Sequence, residues 1–255
     1  MIEAPWARAF PRLFEIYKTS DCIHPLNYFN RAKIETASPA SLVYLGFLEW
    51  EHILAQLDPV AWECFKSKAV NEATPTPNDS GPGPLFDTFH EARGYAFLKQ
   101  HGFTNIEFIP TESTRKTPEM KATGTRGYVL LEAKRLHTSD QETAHLGLNF
   151  PPMQTQDVLD YPPDSLTSKP PMQTRAVLYH LPEGLKKKLV GTIEEATEQL
   201  LTFPESNVER RILYLSIALD SNAANAAKDE LLALIEKKAV SGVEILHHFE
   251  TKWFL

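Results

Sequence analysis

A carboxylate and an ammonium group end one of the most apolar stretches of this sequence. In GYVLLEAKRL, residues 127–136, the apolar run YVLL precedes Glu132, Ala133 and Lys134. Side chains of a strand alternate between its two faces, so Glu132 and Lys134 share a face with Leu130. Unpaired charges on a buried face cost several kcal/mol each. Either this strand end opens into water, or a partner compensates the charges, and a divalent cation held by carboxylates is one such partner.

Two more glutamates are candidates for the same cluster. Glu119 precedes Glu132 by thirteen residues, which is enough chain for two antiparallel strands joined by the turn ATGTRG. A carboxylate at position 119 would then meet Glu132 across the hairpin. Glu91 lies in HEARGYAFL, where helical spacing places it on one face with Tyr95 and Leu98. That face is otherwise apolar, so we expect Glu91 to point towards the sheet.

The elements that would position these side chains follow from the periodicity of apolar residues. LFDTFHEARGYAFLKQHG, from Leu85, predicts a helix ending at Gly102, and strands follow in TNIEFIP, near residues 116–122, and in GYVLLEAKR. After a polar, proline-rich loop over residues 137–181, a helix is predicted in LKKKLVGTIEEATEQLLTF, a strand in RILYLSIALD, a helix in AAKDELLALIEKKA and a strand in GVEILHHFE. This order predicts an α/β fold with a sheet of mixed strand direction flanked by helices.

The first part of the chain has a different pattern. Residues 1–73 predict a helical N-terminal extension, because PWARAFPRLFEIYK and ASLVYLGFLEWEHILAQL repeat apolar residues at spacings of three and four. Ser38 or Ser41 would cap the second of these helices, with Pro39 inside its first turn. TPTPNDSGPGP, residues 74–84, contains four prolines and two glycines and predicts a linker. Residues 85–255 would then form the α/β domain.

Taken in order along the chain, the candidate residues resemble the motif set of the PD-(D/E)XK nuclease superfamily. The resemblance covers about residues 85–220 and rests on Glu91 in the opening helix, Pro118-Glu119, Glu132-Ala133-Lys134, and Gln199 in EEATEQLL. It implies a restriction-endonuclease-like fold, whose core order of helix, three strands, helix and strand is the order predicted here. It also implies metal-dependent hydrolysis of phosphodiester bonds, with DNA as the substrate.

The resemblance implies a role for each residue of the cluster. Glu119 and Glu132 would bind Mg²⁺ or Mn²⁺, the backbone carbonyl of Ala133 would join them, and Glu91 would complete the metal shell. Lys134 would orient or deprotonate the attacking water. The family usually has aspartate where this chain has Glu119. The extra methylene shifts the carboxylate, which implies an altered or weakened metal site.

Substrate contacts are implied around the same cluster. Gln199 would support the site from the second helix, and Lys188 shares a helix face with it and could reach phosphate. Arg135 and Lys121 would add further contacts. Other basic residues near these positions could extend a local basic surface, namely Arg115, Lys116, Arg126, Lys186 and Lys187.

Composition limits the classes of protein that fit. The chain has 255 residues, a formal charge of −7 and a pI near 5.7, which excludes a uniformly basic nucleic-acid binder but allows a local basic cleft. Two cysteines without CxxC spacing exclude a disulfide framework and a zinc motif. The sequence MIEAPWARAF shows no signal peptide, and the longest apolar run is too short to span a bilayer. We expect a cytoplasmic protein without membrane contact.

Other interpretations of the same residues stay open. Glu132 and Lys134 could be an ordinary pair at a solvated strand end, and Glu91 could be a surface glutamate. The adjacent His247 and His248 would point to opposite faces of a strand, so one metal ion is not expected to bind both. A catalytically inactive nuclease-fold protein that binds nucleic acid or a protein partner is the second hypothesis. A third is an interaction protein of a defence or toxin system, whose N-terminal helices bind a partner or a second copy.

Overall fold

The structure is a computed structural model that describes residues 5–21, 24, 27–31, 41–74, 83–110, 112, 115–137, 181, 183–218 and 221–249. The predicted loop over residues 137–181 lies almost wholly outside these residues, as do residues 75–82 of the predicted linker. The predicted cap Ser38 and the nearby Pro39 also lie outside them.

The centre of the molecule is a five-stranded sheet. Its strands are β1 (Thr104–Phe108), β2 (Met120–Thr123), β3 (Tyr128–His137), β4 (Val208–Ala218) and β5 (Glu244–Phe249). They lie side by side in chain order. The pairs β1–β2 and β2–β3 are antiparallel, whereas β3–β4 and β4–β5 are parallel. The predicted α/β class and the mixed sheet are therefore confirmed, as is the predicted order of helices and strands after the proline-rich linker.

Helices cover both faces of the sheet. They are α1 (Pro5–Ala9), α2 (Pro11–Thr19), α3 (Tyr28–Arg31), α4 (Leu42–Leu54), α5 (Pro59–Glu72), α6 (Gly83–Gln100), α7 (Glu183–Thr202) and α8 (Ser221–Lys238). The first helical stretch is broken at Phe10, because Pro11 begins a new helix and contributes no backbone N–H. Ser41 caps α4 by accepting a hydrogen bond from the Tyr44 backbone N–H at 3.1 Å.

Helix α6 connects the N-terminal helices with the sheet. It begins at Gly83, two residues before the predicted start, and it ends at Gln100. Gly102 follows with a φ of +80°, a conformation that glycine adopts without steric cost, which agrees with its predicted role as the C-terminal glycine. None of the described helices is long and apolar enough to cross a bilayer.

Each face of the sheet has its own hydrophobic core. On one face Val129, Leu131 and Ala133 of β3 pack with α6 and the N-terminal helices, in a cluster rich in phenylalanine and tryptophan. On the other face Leu130 and Leu136 pack with α7 and α8. The alternation predicted for β3 is confirmed by this division. The N-terminal helices therefore share one continuous core with α6 and the sheet.

Candidate active site

The β2–β3 hairpin brings Glu119 to Glu132. Met120 is the first residue of β2 and lies opposite Leu131, so one further step in this antiparallel register places Glu119 opposite Glu132. The Glu119 backbone N–H donates a hydrogen bond to Oε2 of Glu132 at 3.0 Å. Because β2 begins only at Met120, the residues of β3 from Glu132 onwards have no partner on β2. Side chains from both faces of the sheet can meet there.

Glu132 is fully buried and held by three partners. Its Oε2 accepts hydrogen bonds from the Glu119 backbone and from the Nε2 group of Gln199 at 3.2 Å. Its Oε1 lies 2.5 Å from Nζ of Lys134 but accepts no hydrogen bond of good geometry. Gln199 also donates to the backbone carbonyl of Thr117, which fixes the amide of α7 against the segment before β2. A solvated strand-end pair is therefore excluded.

Glu91 approaches the same cluster from α6. Its side chain is 9% exposed, so the interpretation of a surface glutamate is wrong. It forms an ion pair with Lys68 of α5, whose side chain is 45% exposed. The charges of Glu119 and Glu132 both act on Glu91. Three glutamates and two lysines, Lys68 and Lys134, thus form one group, which we call the glutamate cluster.

Burial and neighbouring carboxylates raise the pKa values of Glu91 and Glu132. Burial raises the pKa of Glu132 to about 7, and the charge of Glu119 adds to the rise while Lys134 opposes it. Burial raises the pKa of Glu91 to about 8, and Glu119 adds to the rise while Lys68 opposes it. Perturbed carboxyls of this kind concentrate at functional sites.

The pKa values of the two lysines are also raised, which for a lysine favours the charged form. Burial alone would lower the pKa of Lys134, but Glu132 and Glu119 outweigh burial and the pKa is raised. The pKa of Lys68 is raised in the same way, against burial, by Glu91 and Glu119. Lys134 is therefore an ammonium at neutral pH in this state. It can donate hydrogen bonds and orient a water molecule, whereas deprotonating that water requires a lower pKa.

The donor set matches a hard divalent cation in type. Carboxylate oxygens are the ligands that Mg²⁺ prefers, and Oε1 of Glu132 is a buried carboxylate oxygen without a well-formed hydrogen bond. The pairing of β2 with β3 ends at Leu131, so Ala133 has no partner on β2. Its backbone therefore lies in the unpaired part of β3, between Glu132 and Lys134. Within the described part of the chain, no three Asp, Glu, His or Cys side chains already surround one common point. Binding would require the carboxylates to turn from their lysine partners towards the ion.

The residues implied as substrate contacts lie at different places. Arg135 lies over the ring of Phe86 and 3.8 Å from Asp87, on the α6 face of the sheet. Lys121 pairs with Glu205 at 2.9 Å and lies over the Tyr128 ring, at the turn end of the hairpin. These contacts do not bring either residue into the glutamate cluster.

Two other predicted basic residues lie on α7 or beside it. Lys188 is half-buried and precedes Gln199 by eleven residues, or roughly 16 Å along the helix axis. Lys116 pairs with Glu195, whose carboxyl is also acted on by Lys134, so this pair borders the cluster. Lys116 is 66% exposed and is accessible to a ligand that approaches from solvent.

Sequence reasoning missed two contributions to the site. Lys68 belongs to the N-terminal helices, and its contact with Glu91 depends on how α5 packs against α6. Thr117 acts through its backbone carbonyl, which any residue could supply. The nearest sequence signal for Lys68 is its place beside Phe65 and Ala69, which are both buried, because a long charged side chain at the border of an apolar stripe can reach a polar group nearby.

Comparisons with models of protein families, with curated proteins and with solved structures find no match for this chain.

Proposed function

We propose that this protein is a metal-dependent nuclease that hydrolyses phosphodiester bonds in DNA, with a restriction-endonuclease-like α/β domain. One observation supports this most strongly. A fully buried carboxylate, Glu132, meets Glu119, Lys134 and Gln199 at the point where β2 begins. Glu119 directly precedes β2, Glu132 and Lys134 lie on β3, and Gln199 lies on α7. Their order is that of the PD-(D/E)XK motif, and their types match it except for glutamate in place of aspartate at position 119.

Each residue has a role in the proposed reaction. A divalent cation bound here would stabilise charge on the phosphate and lower the pKa of a bound water. Glu119 and Glu132 would hold the ion, with Glu91 and the Ala133 carbonyl completing its shell. Lys134 would orient the water. The water oxygen would bond to phosphorus while its proton passes to solvent, the bond from phosphorus to the leaving oxygen would break, and a proton from solvent would convert that leaving oxygen to a hydroxyl.

Cleavage assays test the proposal directly. Supercoiled plasmid and labelled single strands are incubated with Mg²⁺ or Mn²⁺ and with the wild type, Lys134→Ala or Lys237→Ala. Lys237 is an exposed lysine of α8 and controls for the loss of one positive charge. We expect metal-dependent cleavage by the wild type and by Lys237→Ala, and a loss of at least about a hundredfold in Lys134→Ala. Equal cleavage by all three proteins would indicate a contaminating nuclease.

A catalytically inactive nuclease-fold protein that binds nucleic acid or a protein partner is the second candidate. Two features favour it: Glu119 replaces the usual aspartate, and Glu91 and Glu132 are each paired with a lysine. Titration with Mn²⁺ separates the two candidates. The nuclease requires Mn²⁺ affinity that falls in Glu119→Gln and in Glu132→Gln, whereas the inactive protein would show no such site.

A further inference from the structure

Lys68 joins the N-terminal helices to the glutamate cluster. It lies on α5, and its ammonium contacts the carboxylate of Glu91 on α6. Glu91 is almost fully buried, whereas nearly half of the Lys68 side chain is exposed. The ammonium therefore lies at the boundary between the buried carboxylates and solvent, where an approaching ligand can reach it.

The rest of α5 fixes this position. Phe65 and Ala69 are buried in the core shared with α6, so the helix cannot turn without exposing them. Lys66, two residues before Lys68, points elsewhere and pairs with Glu15 and Glu63 at 2.7 Å each. Two lysines of one helix thus have different surroundings. Lys66 is therefore a matched control for Lys68: it has the same charge and lies on the same helix, but its ion pairs are not with the glutamate cluster.

The charge of the cluster depends on Lys68. The charge of Glu119 acts on both Lys68 and Lys134 and raises the pKa of each. With all three carboxylates ionised, the form that would bind a cation, the three glutamates and two lysines carry a formal charge of −1. A divalent cation would change the formal charge to +1, and without Lys68 it would be zero. Lys68, like Lys134, therefore raises the formal charge of the loaded site by one unit and strengthens its attraction for a phosphate.

We propose that Lys68 contacts a phosphate of the nucleic-acid backbone, so that α5 forms one wall of the substrate path beside the glutamate cluster. An ammonium has three N–H donors, and its contact with Glu91 uses one of them, so Lys68 can hold Glu91 and a phosphate oxygen together. The inference rests on the proposed function, since it assigns a substrate contact to that site. It makes the N-terminal helices part of the site.

The salt dependence of binding tests this contact without relying on cleavage. Each lysine that neutralises a phosphate steepens the fall of log K with log salt by about 0.9 for duplex DNA and about 0.7 for single strands. Binding of labelled duplex and single-stranded probes is measured by fluorescence anisotropy at fixed Mg²⁺ over a range of KCl concentrations. The parent protein is Lys134→Ala, so that probes are not consumed, and Lys134→Met is the second parent if the first does not fold.

Three substitutions in this parent test whether Lys68 contacts a phosphate. We expect Lys68→Met to weaken binding of every probe sequence and to reduce the slope by about one phosphate contact. Lys68→Arg should keep the parent slope, and Lys66→Met should leave both slope and affinity unchanged. A purely structural role of Lys68 would lower the melting temperature of Lys68→Met and leave the slope as in the parent.

The outcomes distinguish this inference from the proposed function. If the parent binds and Lys68→Met has the same slope, the phosphate contact is excluded and the nuclease proposal is unaffected. Equal losses in Lys68→Met and Lys66→Met would also overturn the inference, because they would show a general effect of charge. If neither parent binds any probe although both are folded, the inference and the proposed function fall together.

Discussion

Burial makes the ionised form of Glu132 costly to the folded protein. Taking a carboxylate out of water is offset only by good partners, and Glu132 has two hydrogen bonds to Oε2 and one lysine beside Oε1. A neutral residue of similar shape would pack at this position with less cost. A buried carboxylate that costs stability is expected at a position where it binds a ligand. This is the physical basis of the proposed metal site.

The pKa of Glu132 leads to a pH-dependent prediction. In the folded protein the pKa is raised from 4.5 to about 7, so the folded state binds this proton more tightly than the unfolded state does. Its stabilising effect is complete below about pH 4.5 and is lost as the pH rises through about 7. We expect Glu132→Gln to be more stable than the wild type by on the order of 2 kcal/mol near pH 8, with a smaller difference near pH 5.

Denaturant unfolding of both proteins near pH 5 and near pH 8 measures this difference. Glu198→Gln is the control, because Glu198 is an exposed residue of the same helix as Gln199. It measures the effect on stability of removing one exposed carboxylate from this helix. A Glu132→Gln variant that is destabilised equally at both pH values would show that the ionised carboxylate stabilises the fold.

At the scale of elements, the close approach of α6 to the sheet positions Glu91. Gly94 lies one turn after Glu91, and a Cβ atom there would come within 2.7 Å of the Met120 side chain and 2.9 Å of the Leu131 side chain. Both of those side chains are fully buried. Gly191, in α7, has nothing within 4 Å of the corresponding position.

The two glycines therefore predict opposite effects of one substitution. Gly191→Ala should stabilise the protein by about 0.5–1 kcal/mol, because alanine favours the helix. Gly94→Ala should destabilise it by about 1–2 kcal/mol, since overpacking outweighs the same gain. Differential scanning calorimetry of both variants measures the signs. Stabilisation by Gly94→Ala would mean that α6 can move away from the sheet freely, and that Glu91 is not held in place by packing.

Local patterns predicted most of these elements, and non-local packing explains what they missed. The contact between Glu119 and Glu132 was predictable because hairpin register follows from a short turn between two strands. The burial of Gln199 follows from the apolar stripe of α7. Lys68 was not predictable, because its contact with Glu91 depends on how two helices pack, and no periodicity in either helix specifies its partner.

At the scale of the whole molecule, the net charge of −7 limits how nucleic acid can bind. An acidic surface repels phosphates over most of its area, so attraction has to be local. Lys68, Lys134 and Lys116 are partly exposed in or beside the glutamate cluster and can supply this local attraction. We infer that metal loading and substrate binding are linked, since a cation in the cluster makes the local charge more positive.

The shared core predicts that the N-terminal helices are needed for folding. Phe89 of α6 is fully buried, with ring centroids 5.0 Å from Trp50 of α4 and 6.0 Å from Phe65 of α5. Phe86 is buried beside Tyr28 in the same core. Removing residues 1–73 would expose this face, and each large side chain loses about 1.5–3 kcal/mol of burial. A few such losses approach the total stability of a typical domain, about 5–15 kcal/mol.

We therefore expect the fragment 74–255 to lack a cooperative melting transition and to bind a hydrophobic dye more strongly than the full chain. The matched control is a full-length protein with a protease site inserted in the proline-rich residues 75–82. After cleavage its two parts should stay associated and melt as one unit, because the core and the contact of Lys68 with Glu91 persist without the connecting peptide. A fragment that melts cooperatively by itself would show instead that residues 1–73 form a separable extension, with Lys68 added to a site that is complete without it.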